Sequence, residues 1–174
     1  MLTTALFVPT VTGSANGLRP QSDMTYLKTS QRSPYPNLDH LKHLNILVNI
    51  HKNRVFIRSG NQVVYTMYCS AGMTDPKTKH SDTPTGHFTI QNERGDHFYN
   101  QNLHEGANNW TSFKDHGVYL FHSVPTDAHG NYKLTEASKL GKQPGSHGCI
   151  RLSVPDSLWI KDNVTTGTPV TIKE

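Results

Sequence analysis

The stretch NILVNIHKNRVFIRSGNQVVYTMYCS, residues 45–70, decides the fold. It divides into three runs rich in Val, Ile and Tyr, at 45–51, 54–59 and 62–70. A turn parts the first two, and Gly60 and Asn61 lead into the third. Runs this short, punctuated by turn residues, read as a β-meander. By period-two counting Val63, Tyr65, Met67 and Cys69 share one face of the third run, which makes Cys69 a small buried hydrophobe.

Downstream the same pattern repeats. A polar loop over 72–83 ends in TPTGHFTI, where Pro84 and Gly86 bracket a turn before a strand at 86–91. GVYLFH, 117–122, is a further strand that ends on a histidine, and GTPVTI, 167–172, is one more. SVPDSLWIKDN, 153–163, is the clear helix. Ser153 is its cap, Pro155 lies in its first turn, and Asp156 faces the positive end of the dipole. Many short strands with one or two short helices predict a mainly β sandwich or barrel. No internal repeat is visible.

Upstream, MLTTALFVPTVTGSANG has a short apolar run followed by small residues. This resembles the back half of a secretory signal peptide without its positive n-region. We read it as a truncated signal peptide, the alternative being a disordered leader. Residues 16–42, rich in Ser, Pro, Asn and Gln, read as a linker with few apolar anchors. The expected organisation is therefore leader and linker over 1–43 and one domain over 44–174.

A length of 174 residues suits one ordinary domain, or one domain with a tail. Hydrophobic content of 34% and a mean hydropathy of −0.59 describe a polar protein. No stretch approaches the ~18 apolar residues of a membrane span. The net charge of +4 favours anionic surroundings, but the basic residues are scattered, and no nucleic-acid-binding block or motif is present. The two cysteines, Cys69 and Cys149, form no Cys-x-x-Cys pair, so neither a disulfide framework nor a zinc knuckle is suggested.

The chemistry concentrates in PGSHGCIRL, 144–152. Glycines before Cys149 let the main chain turn sharply and aim successive N–H groups at one point, so SHGC offers both a thiol and an oxyanion hole. Only a thiolate attacks, and a free cysteine of pKa ~8.5 is a few per cent ionised at pH 7. Lowering that pKa to ~6 raises the thiolate about thirtyfold but costs roughly tenfold in nucleophilicity. A paired histidine therefore contributes most by protonating the departing amine, a step worth ~10² to 10⁴ in rate. Spacing alone divides this base evenly between His147 and His122; His40, His43, His51, His80 and His129 read as surface residues. Trp110, Phe113, Tyr119 and Trp159 are candidates for lining a cleft, although aromatics in a β domain more often fill the core. A zinc hydrolase using His122, His147 and Cys149 lacks any closely spaced ligand pair.

FHS at 121–123 followed by SHGCIRL at 146–152 resembles the signature of the L,D-transpeptidase catalytic domain, also called YkuD-like. CSAG at 69–72, TPTGHFTI at 83–90 and GTPV near the end stand in matching order, so the similarity covers 44–174. The resemblance implies an L,D-transpeptidase-like fold with Cys149 as nucleophile and His122 as base. Ser123 orients the ring through its backbone, and Ser146, His147 and Gly148 belong to the nucleophile loop and oxyanion site. Arg151 either contacts a substrate carboxylate or braces the loop. No metal or other cofactor is implied. The implied substrates are peptidoglycan stem peptides, met outside the cell or in the wall. The implied reaction is transfer of a stem tetrapeptide to an amine, giving 3→3 crosslinks. An L,D-carboxypeptidase and a catalytically idle wall-binding module are the alternatives. The segment 124–145 is longer than in many relatives and reads as a lid or an inert insertion.

Overall fold

The computed structural model describes residues 17–174; the leader reading for 1–15 lies outside them. The three runs of the meander are strands β1 (Leu44–Asn49), β2 (Arg54–Ser59) and β3 (Gln62–Ser70), paired antiparallel in sequence order. Then come β4 (Gly86–Thr89), β5 (Arg94–Asn100), β6 (Glu105–Lys114), β7 (Tyr119–Ser123), helix α1 (Leu134–Ala137), β8 (Ile150–Leu152), helix α2 (Val154–Asn163) and β9 (Pro169–Lys173). They form a nine-stranded mixed sheet in the order β4-β9-β1-β2-β3-β8-β7-β6-β5. β3 and β8 pair only at Cys69–Leu152 and Ser70–Arg151, so the sheet folds there into two halves.

The halves enclose one apolar core. Ile46, Val48, Val55, Ile57, Tyr65, Met67 and Cys69 meet Phe113, Phe121, Ile150 and Leu152. Near the far ends of the sheet, Phe88 of β4 reaches Phe113 of β6 edge-on, with ring centroids 5.7 Å apart. α2 lies against β6 and β7 and adds Trp159 and Ile160 to the core. Its cap is as expected: Ser153 Oγ accepts from the Asp156 N–H, and Pro155 occupies the first turn. The mainly β, barrel-like class expected from the strand pattern is the one observed. Val63 departs from period-two counting. The register jumps from Ile57–Tyr65 to Arg58–Val63, a bulge that leaves Val64 as the residue packed toward the core.

Residues 17–43, read from composition as a linker with few apolar anchors, instead pack on the domain: Tyr26 is buried with Tyr68 and Leu140, Tyr35 stacks on Trp159 with ring centroids 5.0 Å apart, and polar contacts complete the attachment. Along most of β3 the edge facing the second half of the sheet has no partner strand among the described residues. There Ser30 Oγ accepts the Tyr68 N–H at 2.8 Å, and Gln31 Oε1 accepts the Thr66 N–H at 3.3 Å. Ser30 Oγ also donates to the buried Asp156 carboxylate at 2.5 Å, and the Tyr35 hydroxyl donates to its other oxygen at 2.6 Å. This segment therefore closes an open sheet edge and ties it to the start of α2.

Candidate active site

β7 and β8 run parallel, with Phe121 opposite Ile150 and His122 opposite Arg151. Phe121 and Ile150 point into the core. Alternation then sends Leu120, His122 and Arg151 to the other face, together with Cys149 two residues before Arg151. From strand spacing and rise, the Cα atoms of Cys149 and His122 are about 8 Å apart, one diagonal step across the ladder. Both side chains line a cleft of about 400 Å³. Parallel pairing also explains the long segment 124–145, because such strands cannot be joined by a tight turn and need a crossover.

The loop that carries Cys149 is fixed from three sides. Ser146 Oγ donates to the Cys149 carbonyl at 2.5 Å and accepts the Gly148 N–H at 3.0 Å, closing a tight turn. The continuation of β3 holds its entry: the Ala71 carbonyl accepts the Gly145 and Ser146 N–H groups, and the Ser146 carbonyl accepts from Met73. Thr83 Oγ1 donates to the Gly148 carbonyl at 2.8 Å while accepting the Gly72 N–H at 2.7 Å. The sequence pieces CSAG and TPTG are thus struts of this loop. Gly148 has φ +134°, and a Cβ there would lie 2.8 Å from the Tyr119 ring and 3.1 Å from the Asp82 carbonyl. Glycine is required by conformation and by space.

The imidazole is oriented by one short bond. His122 Nδ1 lies 2.6 Å from the Ser123 carbonyl, which accepts its proton and leaves Nε2 with the lone pair. Burial pushes the His122 pKa down to about 4; the Ser123 carbonyl opposes this shift and the Arg151 charge adds to it. Burial likewise pushes the Cys149 thiol up to about 11, against a backbone hydrogen bond from Leu120 and the Arg151 charge. The resting pair is therefore neutral thiol and neutral imidazole at pH 7. Cys149 Sγ donates to the Val118 carbonyl at 3.5 Å, and among the described residues no hydrogen bond joins it to His122.

The other expected residues divide between two roles. Ser146 is buried and its hydroxyl is spent within the loop, as is the Gly148 N–H, so neither is free to receive an oxyanion. His147 is exposed at the cleft rim. Arg151 is 2% exposed and braces the loop: its Nη1 donates to the Gly145 carbonyl at 2.7 Å and to Glu136 at 2.6 Å, and its Nη2 to Glu105 at 2.7 Å. Trp110 and Tyr119 line the cleft, whereas Phe113 and Trp159 belong to the core. Both cysteines are free thiols. Among the described residues, no three His, Cys, Asp or Glu side chains gather as a metal site, and the exposed His147 does not join Cys149 and His122 in one.

Sequence reasoning left 92–116 unassigned, and with it Glu105 and Asn108. Asn108 N–H donates to Ser123 Oγ at 2.9 Å, steadying the residue that orients His122. The second half of segment 124–145 packs on the domain. Gly141 N–H bonds the Cys69 carbonyl, Ser70 Oγ donates to the Gln143 carbonyl at 2.9 Å, and Leu140 is buried with Tyr26 and Tyr68. The segment forms a fixed backing to the site and supplies Pro125 to the cleft wall.

Known proteins resemble this chain over the same residues. Residues 44–172 match the family model of the L,D-transpeptidase catalytic domain, YkuD. A Bacillus subtilis (strain 168) protein named "Putative L,D-transpeptidase YciB" is 42% identical over 138 residues, which cover 79% of this chain and 69% of that protein. Among solved structures, a fused Zn-dependent amidase/peptidase/peptidoglycan-binding protein from Clostridium acetobutylicum superposes with a TM-score of 0.54 at 27% identity. An L,D-transpeptidase from Mycobacterium smegmatis gives 0.57 at 20% identity, a likeness of fold. These alignments cover 75% and 76% of this chain, which spans only 52% and 59% of the two solved chains. With the family model spanning nearly the whole of the β domain, and a cysteine and a histidine brought to one cleft by parallel strands, the chain belongs to the L,D-transpeptidase (YkuD) family.

Proposed function

We propose that the chain is a peptidoglycan L,D-transpeptidase that works through a cysteine acyl-enzyme. The observation that carries this reading is the placement of Cys149 and His122 on one face of the β7–β8 pair, with Nδ1 of the ring committed to Ser123 and Nε2 free to take a proton. Cys149 Sγ attacks the carbonyl of the third residue of a stem tetrapeptide, and the thiol proton passes to His122 Nε2 as the S–C bond forms. The neutral resting pair fits proton transfer in step with attack rather than a standing thiolate. Collapse of the tetrahedral adduct breaks the bond to the terminal D-alanine, whose nitrogen leaves with the proton from His122. The resulting thioester is resolved by the amine of a second stem, giving a 3→3 crosslink, or by water, giving a trimmed tripeptide.

The oxyanion falls to the main-chain N–H groups of Cys149 and His147, which have no partner among the described residues. Gly148 contributes its conformation instead. This work is done outside the cytoplasm, at the wall, where the stem peptides are. Incubating the protein with a disaccharide tetrapeptide and weighing the products tests the reading. A dimer with loss of D-alanine is the expected result, absent in Cys149→Ala. Tripeptide alone moves the assignment to carboxypeptidase, and no product from the intact thiol leaves a wall-binding module. A carbapenem mass adduct should form on the protein and be missing in Cys149→Ala; its persistence in that variant defeats the assignment of the nucleophile.

A further inference from the structure

Arg151 lies beneath the catalytic pair, opposite His122 across the ladder and on the face that carries Cys149. A guanidinium so placed is a natural receptor for a substrate carboxylate, but both of its terminal nitrogens are already held, and only the buried Nε has no partner among the described residues. Nη1 is shared between Glu136 Oε2 at 2.6 Å and the Gly145 carbonyl at 2.7 Å, and Nη2 is held by Glu105 Oε2 at 2.7 Å. Each carboxylate has its own second cation: Glu136 holds Lys139 at 2.7 Å and Glu105 holds Lys133 at 3.3 Å. Burial pushes the Glu136 carboxyl up, but hydrogen bonds from Lys139 and Arg151 overcome this and hold it below its ordinary range. The packing around Gly145 is equally closed. A Cβ there would lie 2.9 Å from Lys139, 3.0 Å from Arg151 Nη1 and 3.2 Å from Glu136.

We propose that Glu136, from the long segment 124–145, and Glu105, from β6, are positioning residues of the acyl-transfer site. They hold the Arg151 guanidinium against the Gly145 carbonyl, so that the nucleophile loop is set before substrate arrives and the arginine is withdrawn from carboxylate binding. The inference rests on the acyl-transfer reading above. Gly145 opens the loop that ends at Cys149, and its other face is pinned by the Ala71 carbonyl. Releasing one side lets the loop shift, and a displacement of about 1 Å at a reacting atom costs up to ~10² in rate. The same segment braces the histidine, since Tyr132 accepts from Asn108 Nδ2 at 2.8 Å and the Asn108 N–H holds Ser123.

The test uses the full chain with Glu136→Ala, Arg151→Lys and the double variant. The kcat and KM for the tetrapeptide donor are measured per titrated thiol, beside the rate of Cys149 alkylation by iodoacetamide at pH 8. Glu136→Ala should lower kcat by about 10- to 100-fold with KM within about twofold. Alkylation should become several-fold faster, because a loosened loop admits water to the thiol and the Arg151 charge, which favours the thiolate, is less neutralised. The double variant should be little worse than Arg151→Lys alone, since both act through one network. A fall in KM or an unchanged kcat in Glu136→Ala would overturn the proposal in favour of a carboxylate-binding arginine; additive losses would overturn the shared network. Glu136→Gln, nearly isosteric, is measured the same way if the alanine variant does not fold, with a partial loss of kcat expected and the same outcomes against. If the wild-type protein turns over no tetrapeptide, the acyl-transfer reading fails separately, and the alkylation rates still decide whether Glu136 sets the loop.

Discussion

Cys69 and Cys149 flank the same strand, and their surroundings differ in one respect that decides everything else. Cys69 is opposite Leu152 and faces the core, fully buried among Met67, Phe121 and Ile150. Cys149 precedes β8 by one residue and faces the cleft. Burial raises both thiols, Cys69 to about 12 and Cys149 to about 11, so low acidity does not distinguish them. What distinguishes them is the phase of the pleat, which puts an imidazole with an open Nε2 on the side of Cys149 and, among the described residues, none on the side of Cys69. On the proposed mechanism, reactivity is a matter of which partner a thiol faces rather than of a depressed pKa.

Removing that partner gives the largest expected effect. His122→Ala should slow acylation of Cys149 by ~10² to 10⁴, leaving a thiol that still alkylates slowly. Acylation kinetics equal to wild type would pass the role of base to His147. The pH dependence has a definite sign. Because the folded-state pKa of His122 is pushed below its ordinary value, the base form persists well below pH 6.5, and the acid limb of kcat/KM should lie near pH 4. For stability, the unfolded state binds the extra proton first. The contribution is full above about pH 6.5 and is lost as pH falls towards 4, on the order of 3 kcal/mol, and His122→Ala should abolish that part of the acid loss. Urea unfolding at pH 7 and pH 4 measures it.

A smaller effect separates the geometry of the loop from the chemistry of the pair. Gly148→Ala must place a Cβ at φ +134° against Tyr119 and Asp82, so the turn that aims Cys149 has to open. Turnover should fall by about 10- to 100-fold while the Cys149 thiol remains titratable. Gly60→Ala is the companion measurement: Gly60 has φ +58°, but a Cβ there would meet nothing within 4 Å, so it should cost stability alone. Equal loss of turnover in both variants would show that Gly148 matters only to folding.

The same contrast explains what could be read in the chain. The half of the sheet around Cys69 was legible because apolar alternation over 45–70 is dictated by a core on one face. The half around Cys149 was legible only at SHGCIRL and FHS, where residue types carry the chemistry. Strands β5 and β6 were not, because RGDHFYN and EGANNWTSFK have polar residues on both faces, and Asn109, at φ +55°, breaks the alternation. α1 has only four residues, too short for any period to register. Glu105, Asn108 and Glu136 could not be found from sequence, since an ion pair or a main-chain strut depends on which strands become neighbours. Nor did the composition of 16–42 show that Ser30 and Gln31 would cap a sheet edge.

The smallest expected effect falls on the other cysteine. Cys69→Ala removes a sulfur from the core and leaves a cavity smaller than a methyl-branched side chain would, for a cost of about 1 kcal/mol. In a chain of this size that is a fall in Tm of about 2–4 °C. Turnover should be unchanged, because what Cys69 lends to the site is main chain: its carbonyl accepts the Gly141 N–H, and its register with Leu152 keeps Arg151 and His122 in phase. Alanine preserves both. In the native protein iodoacetamide should label Cys149 alone, so the variant should show the same alkylation stoichiometry as wild type. If Cys69→Ala instead lost activity while keeping its fold, the core thiol would have a share in the chemistry, and pleat phase would no longer account for the difference between the two cysteines.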